Sequence, residues 1–267
     1  MANNRGTALV TGASSGIGAV YADRLAHRGH DLILVARDAA RLEDLAERLR
    51  ASTARAIEVL QADLTNPADL AKVESRLTKN AAITMLVNNA GVSLNGGLLE
   101  NGSYALEKLI ALNITAPTVL AAAAAKAFVQ RKHGAIVNIS SVLALAPEAL
   151  EGVYSGSKAY LLNLTLKLAS DVKAAGVRVQ AVLPGATRTE IWARSGKNVD
   201  AILPGMVMEA DDLVDAALVG FDRGEVVTIP PLADESLWTA YNEARLALGP
   251  HLSRREVAER YRERAAA

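Results

Sequence analysis

The chain has 267 residues, 51% of them hydrophobic and 4% aromatic, enough for one large α/β domain with a mainly aliphatic core. Its 29 basic and 29 acidic residues balance, so the charge favours neither a nucleic acid nor an acidic membrane as partner. The absence of cysteine excludes disulfides, thiolate metal sites and a cysteine nucleophile.

A glycine-rich turn follows the first predicted strand. Residues 7–10 form a short apolar run typical of a buried strand, and a helical pattern from Ala19 to Ala26 ends at Gly29. Between them, residues 11–18 read Thr-Gly-Ala-Ser-Ser-Gly-Ile-Gly. Glycines let the backbone approach a phosphate, and a helix N-terminus offers free N–H groups. The turn predicts a phosphate site; a tight turn without a ligand is the alternative.

The second predicted strand, residues 31–35, ends at Ala36 and is followed by Arg37 and Asp38. At this position of a nucleotide-binding βαβ unit an acidic residue binds the ribose 2′-hydroxyl, whereas an arginine accommodates a 2′-phosphate. Arg37 therefore favours NADP(H) over NAD(H). The alternative is a merely solvated Arg37. Asp38 is expected to cap the next helix in either case.

Two further strands end in polar residues. The third, residues 56–60, leads to Asp63 and Leu64, and Pro67 suits the first turn of the following helix. The fourth, residues 83–87, is followed by Asn-Asn-Ala-Gly at residues 88–91. Ligands bind at the carboxyl ends of such strands, although ordinary turn chemistry also explains the two asparagines.

Two helices are predicted next, residues 104–112 and 116–131, with Asn113 at a break between them. The apolar stretch 116–129 contains Pro117 and Lys126 and is expected to be too short to span a bilayer. The first six residues lack the apolar core of a signal peptide. We therefore expect a soluble, cytoplasmic protein without a membrane partner.

Tyr154 and Lys158 form a candidate proton-transfer pair on a predicted helix. The fifth strand, residues 135–139, ends in Ser140 and Ser141, and a loop leads to a helix that carries this pair and runs to about residue 175. Residues four apart lie on one helix face. A nearby ammonium favours the phenolate and lowers the pKa of the phenol, so Tyr154 could exchange protons near neutral pH. A tyrosine and a lysine at this spacing occur by chance on many helix faces, so the pair alone is weak evidence.

The remaining chain completes one doubly wound parallel sheet. A sixth strand, residues 177–183, ends at Pro184 and Gly185, and residues 186–209 lack a regular pattern and are predicted to form a substrate loop. A helix (211–221), a seventh strand (225–229) and two helices (234–248 and 253–265) follow. The alternation predicts an α/β fold: a single domain (1–267) with a core of about seven strands (5–230), flanking helices and a helical C-terminal extension (231–267).

Taken together, the glycine turn, the Asn-Asn-Ala-Gly segment, Ser141 and the Tyr154–Lys158 pair resemble the classical short-chain dehydrogenase/reductase family over about residues 5–230. The resemblance implies a Rossmann-type fold and NAD(P)-dependent interconversion of a carbonyl and a secondary alcohol. It also implies a small-molecule substrate and a homo-oligomer, either a dimer or a tetramer.

The resemblance also implies roles for four residues. Tyr154 would be the general acid/base, and Lys158 would lower its pKa and hold the nicotinamide ribose. Ser141 would orient the substrate oxygen, with Ser140 as the alternative. Asn113 would hold a water that links Lys158 to solvent; the alternative is that it bonds only the helix backbone.

No metal ligand is expected, and the cofactor positions implied by the family come from six segments of the chain. They are Gly12, Ser14, Ser15, Gly16, Ile17, Gly18, Arg37, Asp63, Leu64, Asn89, Ala90, Gly91, Tyr154, Lys158, Pro184, Gly185, Thr187 and Thr189.

Two positions depart from the family pattern. Gly156 stands where alanine or serine is common, and the seventh strand ends in Thr-Ile-Pro-Pro at residues 228–231, not in a Val-Asp-Gly-Gly type of ending. The second departure speaks against a ketoacyl-thioester substrate and against the usual tetramer. Two rival functions remain open, a catalytically silent nucleotide sensor or scaffold, and an isomerase or dehydratase that uses the cofactor transiently.

The predicted pocket wall is mostly apolar and favours a medium-sized, largely uncharged substrate. It consists of residues 92–98, 143–150, Trp192 and 203–208, with Glu148 and Arg194 as possible polar contacts.

Overall fold

A parallel sheet organises the computed structural model, which describes residues 5–149, 152–189 and 204–262. The described strands are β1 (Thr7–Thr11), β2 (Asp31–Ala36), β3 (Ile57–Gln61), β4 (Ile83–Asn88), β5 (Gly134–Ile139), β6 (Val177–Val182), β7 (Thr187–Arg188), β8 (Met208–Glu209) and β9 (Val227–Thr228). Seven of them form one parallel sheet in the order β3-β2-β1-β4-β5-β6-β9. The chain adds β2 and β3 on one side of β1 and then β4, β5, β6 and β9 on its other side. This change of direction at β1 confirms the predicted doubly wound Rossmann-type fold.

Helices cover both faces of the sheet. They are α1 (Gly16–His27), α2 (Ala39–Thr53), α3 (Pro67–Lys79), α4 (Ser103–Ile110), α5 (Ala116–Arg131), α6 (Gly152–Val172), α7 (Ala210–Arg223) and α8 (Glu235–Leu248). The chain divides into two compact units, Met1–Pro231 and Leu232–Ala267, and α8 belongs to the second. The C-terminal extension predicted from the sequence begins at residue 231, one residue before the second unit.

Alternating strand residues build a separate core on each face. In β1, Ala8 and Val10 pack with helices α1, α2 and α7, whereas Leu9 packs with α3, α5 and α6. Both groups of residues are fully buried. A strand with apolar residues on both faces is typical of a parallel sheet covered by helices on each side.

Two of the predicted helix starts are confirmed by their caps. The Asp38 carboxylate accepts a hydrogen bond from the backbone N–H of Arg41 at 3.1 Å at the start of α2. At the start of α3, Asn66 accepts from the N–H of Ala68 at 2.9 Å, and Pro67 occupies the first helical position. Each cap satisfies N–H groups that have no partner within the helix.

Three predictions about the C-terminal part need correction. The seventh sheet strand is β9, only two residues long, where residues 225–229 were expected; Pro230 and Pro231 lack the N–H groups that would extend it. The segment 186–209 contains the short parallel pair β7–β8, which is too short to show a sequence period. Within residues 253–262, which the structure describes, only the 3₁₀ turn Glu259–Tyr261 forms instead of the predicted helix.

A π-helical turn, Ala111–Thr115, joins α4 and α5 into one continuous helix, Ser103–Arg131. The helix has 29 residues, and its most apolar 18-residue window has a mean hydropathy of 1.5, so by length and composition it could cross a membrane. The stretch 116–129, which was expected to be too short for this, is part of that longer helix. Half of its most apolar window is buried inside the protein, and α5 packs against α3 and β5. The buried core helix of a soluble protein has the same properties, so this helix is weak evidence for a membrane span.

Two glycine-to-alanine substitutions should change stability in opposite directions. A Cβ on Gly156 in α6 meets no atom within 4 Å, so Gly156→Ala should raise the free energy of unfolding by about 0.5–1 kcal/mol through helix propensity. A Cβ on Gly220 in α7 would overlap the side chains of Thr228 and Glu225, so Gly220→Ala should lower it by about 1–3 kcal/mol. Urea denaturation of both variants tests the pair; a stabilised Gly220→Ala would contradict the packing argument.

Candidate active site

The glycine turn between β1 and α1 lies at the carboxyl edge of the sheet. Gly12 and Gly16 adopt positive φ angles of 66° and 53°, a region that favours glycine. A Cβ on Gly12 would lie 2.7 Å from the side-chain amide nitrogen of Asn89 and 2.9 Å from the Cα of Ala90. A Cβ on Gly18 would overlap the carbonyl oxygen of Gly12. Glycine is required at positions 12 and 18 because the end of β4 and the turn itself leave no room for a Cβ, and at position 16 because of its positive φ.

The Asn89 side chain ties this turn to β4. Its amide nitrogen donates to the carbonyl oxygens of Thr11 at 3.0 Å and Gly12 at 3.2 Å. The Thr11 hydroxyl accepts from the N–H groups of Asn89 at 3.0 Å and Ala90 at 3.1 Å, and donates to the carbonyl of Val87. Because the amide nitrogen is engaged, a ligand contact by Asn89 would use its side-chain oxygen or its backbone.

The N-terminus of α1 has the properties of an anion site. Ser15 is the N-cap residue, and its side chain makes no capping hydrogen bond there. The first turn of α1 lies wholly within the described residues and carries no acidic side chain. Its N–H groups and the positive end of the helix dipole therefore face no local negative charge, which fits the pyrophosphate of a dinucleotide.

Arg37 and Asp63 lie beyond the ends of β2 and β3. Arg37 is exposed, and Gln61 donates to its carbonyl oxygen at 3.0 Å. Burial acts to raise the pKa of Asp63, but hydrogen bonds from the N–H and hydroxyl of Thr65 and the nearby Arg37 charge together hold it below its ordinary value. The side chain of Leu64 is buried in the core, so its predicted cofactor contact would have to be made by the backbone.

Helix α6 presents Tyr154 and Lys158 on one face. The Lys158 Nζ is buried, donates to the carbonyl oxygen of Ile139 at 2.9 Å, and lies 5.5 Å from the centroid of the Tyr154 ring. Burial lowers the pKa of Lys158 from its ordinary 10.5 to about 8. Tyr154 is partly exposed. A buried ammonium beside a solvent-accessible phenol is suited to stabilising a phenolate.

Asn113 lies in the π-helical turn and is buried. Its side-chain oxygen accepts from the N–H of Val92 at 2.9 Å, and its nitrogen donates to the Val92 carbonyl at 2.8 Å and the Ser157 hydroxyl at 3.2 Å. The alternative that Asn113 bonds only the helix backbone is therefore wrong. The Asn113 oxygen and the Lys158 Nζ lie 3.4 and 3.5 Å from the point where a Cβ on Gly91 would be, so the three residues meet at one place.

The two serines after β5 have different partners. The Ser140 hydroxyl is buried and donates to the carbonyl oxygen of Lys158 at 2.7 Å, which anchors α6 to the strand. The Ser141 hydroxyl accepts from the N–H of Leu143 at 3.1 Å and has a long contact of 3.5 Å to the carbonyl oxygen of Pro184. Because Ser140 uses its proton within the fold, Ser141 is better placed to contact a substrate oxygen.

The segment after β6 approaches the glycine turn. The Thr187 hydroxyl donates to the Gly185 carbonyl at 3.0 Å, and the Thr189 methyl group lies 3.1 Å from the point where a Cβ on Gly16 would be. The predicted cofactor positions that follow β6 are thus brought close to those on the glycine turn. Several predicted pocket-wall residues lie outside the described residues, namely Leu150, Trp192, Arg194 and Leu203.

A buried polar chain behind the site is absent from the sequence-based predictions. The Asn88 amide nitrogen donates to the Asn138 side-chain oxygen at 2.9 Å, and the Asn138 nitrogen donates to the Thr165 hydroxyl at 2.9 Å. These three side chains join β4, β5 and α6. The sequence feature that could have indicated this polar chain is Asn138, an asparagine inside the otherwise apolar strand at residues 135–139. Ser157, which bonds Asn113 and donates to the Tyr154 carbonyl at 2.7 Å, was also missed.

The parallel sheet, the glycine turn and the Tyr–Lys pair at the carboxyl edge define a dinucleotide-binding oxidoreductase of the Rossmann class. A family model described as short chain dehydrogenase matches residues 6–200. The chain belongs to the short-chain dehydrogenase family, as its sequence predicts.

Solved structures and a curated relative agree. A short-chain dehydrogenase from Sphingobium yanoikuyae in complex with NADPH is 55% identical, with a TM-score of 0.93 over 96% of this chain and 100% of that one. The bulky-bulky ketone specific alcohol dehydrogenase from Comamonas testosteroni is 46% identical, with a TM-score of 0.90 over 98% of this chain and 100% of that one. An uncharacterized oxidoreductase from Staphylococcus saprophyticus is 33% identical over 83% of this chain and 93% of its own length.

Proposed function

We propose that this protein is an NADP(H)-dependent oxidoreductase that interconverts a ketone and a secondary alcohol, with Tyr154 as the general acid/base. The observation that carries the proposal is the buried Lys158 ammonium, 5.5 Å from the centroid of the Tyr154 ring. The ammonium stabilises the phenolate over the phenol, which brings the proton affinity of Tyr154 toward the range needed near neutral pH.

Each residue of the site has a distinct task in this proposal. In the reducing direction Tyr154 donates its proton to the carbonyl oxygen of the substrate, and in the oxidising direction the phenolate takes the proton back. The Ser141 hydroxyl donates a hydrogen bond to the same oxygen and stabilises the negative charge that develops there. Asn113 fixes the segment at Val92 beside Lys158 and would hold the water through which Lys158 exchanges protons.

The described residues fit a dinucleotide. Positive φ at Gly12 and Gly16 and the uncapped N-terminus of α1 support a pyrophosphate site there, and the exposed Arg37 beyond β2 is the contact that we propose for a 2′-phosphate. The cofactor, when bound, supplies or accepts the hydride. The relative solved with NADPH, at 55% identity, supports NADP(H). The remaining predicted positions, among them Ser14, Ile17 and Ala90, are proposed as further cofactor contacts.

The substrate we propose is a ketone with a bulky group on each side of the carbonyl. The 46% identical alcohol dehydrogenase from Comamonas testosteroni is specific for such ketones. In the present chain the described part of the predicted wall is rich in partly exposed aliphatic side chains, including Val92, Leu143 and Leu145. The proposal also includes a cytoplasmic location and a homo-oligomeric state, both of which rest on family membership.

A ketone panel with NADPH tests the function. Purified protein should consume NADPH, measured by absorbance at fixed pH, with ketones that carry two large substituents and far less with acetone. Tight NADPH binding without turnover of any ketone or aldehyde would instead support a sensor or scaffold. Product formation without net NADPH consumption would support an isomerase or dehydratase.

Arg37→Ala should raise the KM for NADPH about 10- to 100-fold and leave the KM for NADH nearly unchanged. The guanidinium pairs with a 2′-phosphate, which only NADPH carries, and a charge-assisted contact of this kind is worth about 1.5–3 kcal/mol. Arg48→Ala on α2 is the matched control, because Arg48 is an exposed arginine that bonds the Asp44 carbonyl. Equal effects of Arg37→Ala on both cofactors would remove Arg37 as the phosphate contact.

A further inference from the structure

Ser157 lies one position before Lys158 in α6, and its side chain is buried. Its hydroxyl donates to the Tyr154 carbonyl at 2.7 Å and accepts from the Asn113 side-chain nitrogen at 3.2 Å. A serine inside a helix can satisfy its hydroxyl on a backbone carbonyl of the preceding turn, so the first contact is local. The second contact crosses to the π-helical turn, and it is the one that the helix itself does not require.

The backbone of Val92 fixes the direction of the hydrogen bonds in this group. Its N–H can only donate and its carbonyl can only accept, so the Asn113 oxygen faces the N–H and the Asn113 nitrogen faces the carbonyl. The second proton of that nitrogen is then directed to the Ser157 oxygen, which accepts it and gives its own proton to the Tyr154 carbonyl. The contacts from Val92 to Tyr154 therefore have one consistent arrangement.

This arrangement lies directly beside the Lys158 ammonium. The carbonyl of Lys158 is held from the end of β5 by the Ser140 hydroxyl, whereas the preceding residue, Ser157, is held from the π-helical turn by Asn113. The Asn113 oxygen and the Lys158 Nζ approach the same point, where a Cβ on Gly91 would be. A displacement of the Asn113 side chain would therefore change the immediate surroundings of Nζ.

We propose that Ser157 is a positioning residue that holds Asn113 beside Lys158 and so maintains the route by which Lys158 exchanges protons with water. The inference rests on the proposed function, in which Asn113 would hold that water. Without the Ser157 oxygen, one buried N–H of Asn113 loses its acceptor, which is unfavourable, so the amide would turn or move away from α6. Ser157 acts through Asn113 and needs no contact with the substrate.

Ser157→Ala should lower kcat for ketone reduction about 10-fold and leave the KM for NADPH within about twofold, because proton delivery is impaired and cofactor binding is not. The solvent isotope effect on kcat, measured in H2O and D2O, should rise, since proton delivery becomes slower relative to hydride transfer. Ser157→Cys should lose nearly as much activity, because cysteine fills similar space but its sulfur is a weak acceptor. Wild-type kcat in Ser157→Cys would assign Ser157 a packing role and overturn the proposal.

Ser155→Ala is the matched control for a lost hydroxyl in α6. Ser155 is also buried, and its hydroxyl donates to the Gly152 carbonyl three residues earlier at 3.2 Å, as that of Ser157 does to Tyr154. This variant should keep kcat within about twofold and the wild-type isotope effect. Circular dichroism verifies that each variant folds. An equal loss of kcat in Ser155→Ala and Ser157→Ala would show a general effect on the helix and contradict the proposal.

A double-mutant cycle with Asn113→Ala tests whether Ser157 acts through Asn113. In the Asn113→Ala background, Ser157→Ala should lower kcat little further, because the group that it positions is already gone, whereas independent effects would multiply. The same cycle measured by urea midpoints should also be non-additive, and it requires no activity. The kinetics of the single Ser157 variants decide the question even if Asn113→Ala does not fold.

Two kinds of failure can be told apart. Multiplicative losses of kcat in an active protein, or a wild-type kcat and isotope effect in Ser157→Ala, would overturn the role of Ser157 and leave the proposed function intact. A wild type that turns over no ketone would overturn the proposed function and with it the proton route. Non-additive urea midpoints would in that case still support the positioning of Asn113 by Ser157.

Discussion

Tyr154→Phe should lower kcat about 100- to 10,000-fold and leave the dissociation constant for NADPH within about twofold of the wild type. The substitution removes one hydroxyl, so the substrate oxygen loses its proton donor, and general acid/base catalysis contributes a factor of this size. The phenyl ring keeps the packing beside Lys158, whose Nζ lies 5.5 Å from the ring centroid. Single-turnover measurements with NADPH and a reactive ketone, together with fluorescence titration of NADPH, separate the two quantities.

Tyr160→Phe is the control for a lost phenol on the same helix. The Tyr160 hydroxyl lies 2.9 Å from the Thr118 hydroxyl at the protein surface, away from Lys158. This variant should keep kcat within about twofold. Full activity of Tyr154→Phe, or an equal loss in both variants, would show that Tyr154 is not the proton donor.

Lys158→Met should lower kcat by a similar factor and at the same time stabilise the protein at pH 7. Burial lowers the pKa of Lys158 from 10.5 to about 8, so the folded protein keeps a poorly solvated ammonium at neutral pH. At about 1.36 kcal/mol per pKa unit, this difference sets a ceiling of roughly 3 kcal/mol. Methionine leaves the Ile139 carbonyl without its donor, which costs about 1 kcal/mol. The net gain in unfolding free energy should be about 1–2 kcal/mol.

The pH dependence of this gain has a definite sign. Below pH 8 both the folded and the unfolded chain hold the Lys158 proton, and the burial penalty is fully present. Between pH 8 and 10.5 the unfolded chain holds the proton while the folded chain has released it, so the wild type gains stability as pH rises. The advantage of Lys158→Met should therefore be largest at pH 7 and nearly absent at pH 9.5.

Urea denaturation at these two pH values measures the effect, with Lys167→Met as control. Lys167 lies in the same helix but is largely exposed and pairs with Asp171 at the surface, so its substitution should change stability little and equally at both pH values. A Lys158→Met variant that is less stable than the wild type at pH 7 would show that the ammonium is well compensated within the fold.

The order of strands and helices in the larger unit follows from the sequence because the signals are local. Apolar runs of five or six residues, glycine turns and helix caps at Asp38 and Asn66 each depend on neighbouring residues. Parallel strands joined by helices must end on one edge of the sheet, so the residues that follow them are collected there. This is why the glycine turn, Ser141 and the Tyr154–Lys158 pair could be recognised as one site.

The predictions failed where no local period exists. Strands β7, β8 and β9 have two residues each, and pairing with a distant segment, not a pattern, defines them. The helical expectation for residues 253–265 fails within its described part, where only the 3₁₀ turn Glu259–Tyr261 forms. The π-helical turn at Asn113 was read as a break, since a sequence cannot distinguish one extra residue in a helix from its end.

The sequence by itself determined the fold class, the family and the residue types of the site, because strand periodicity and turn chemistry are encoded over a few neighbours. Only the tertiary structure decided how those residues are used. It assigned the Ser140 proton to the Lys158 carbonyl, turned Asn113 toward Val92 and joined Asn88 to Asn138. Each of these depends on residues more than 15 positions apart or on burial, and chain folding alone brings such groups together.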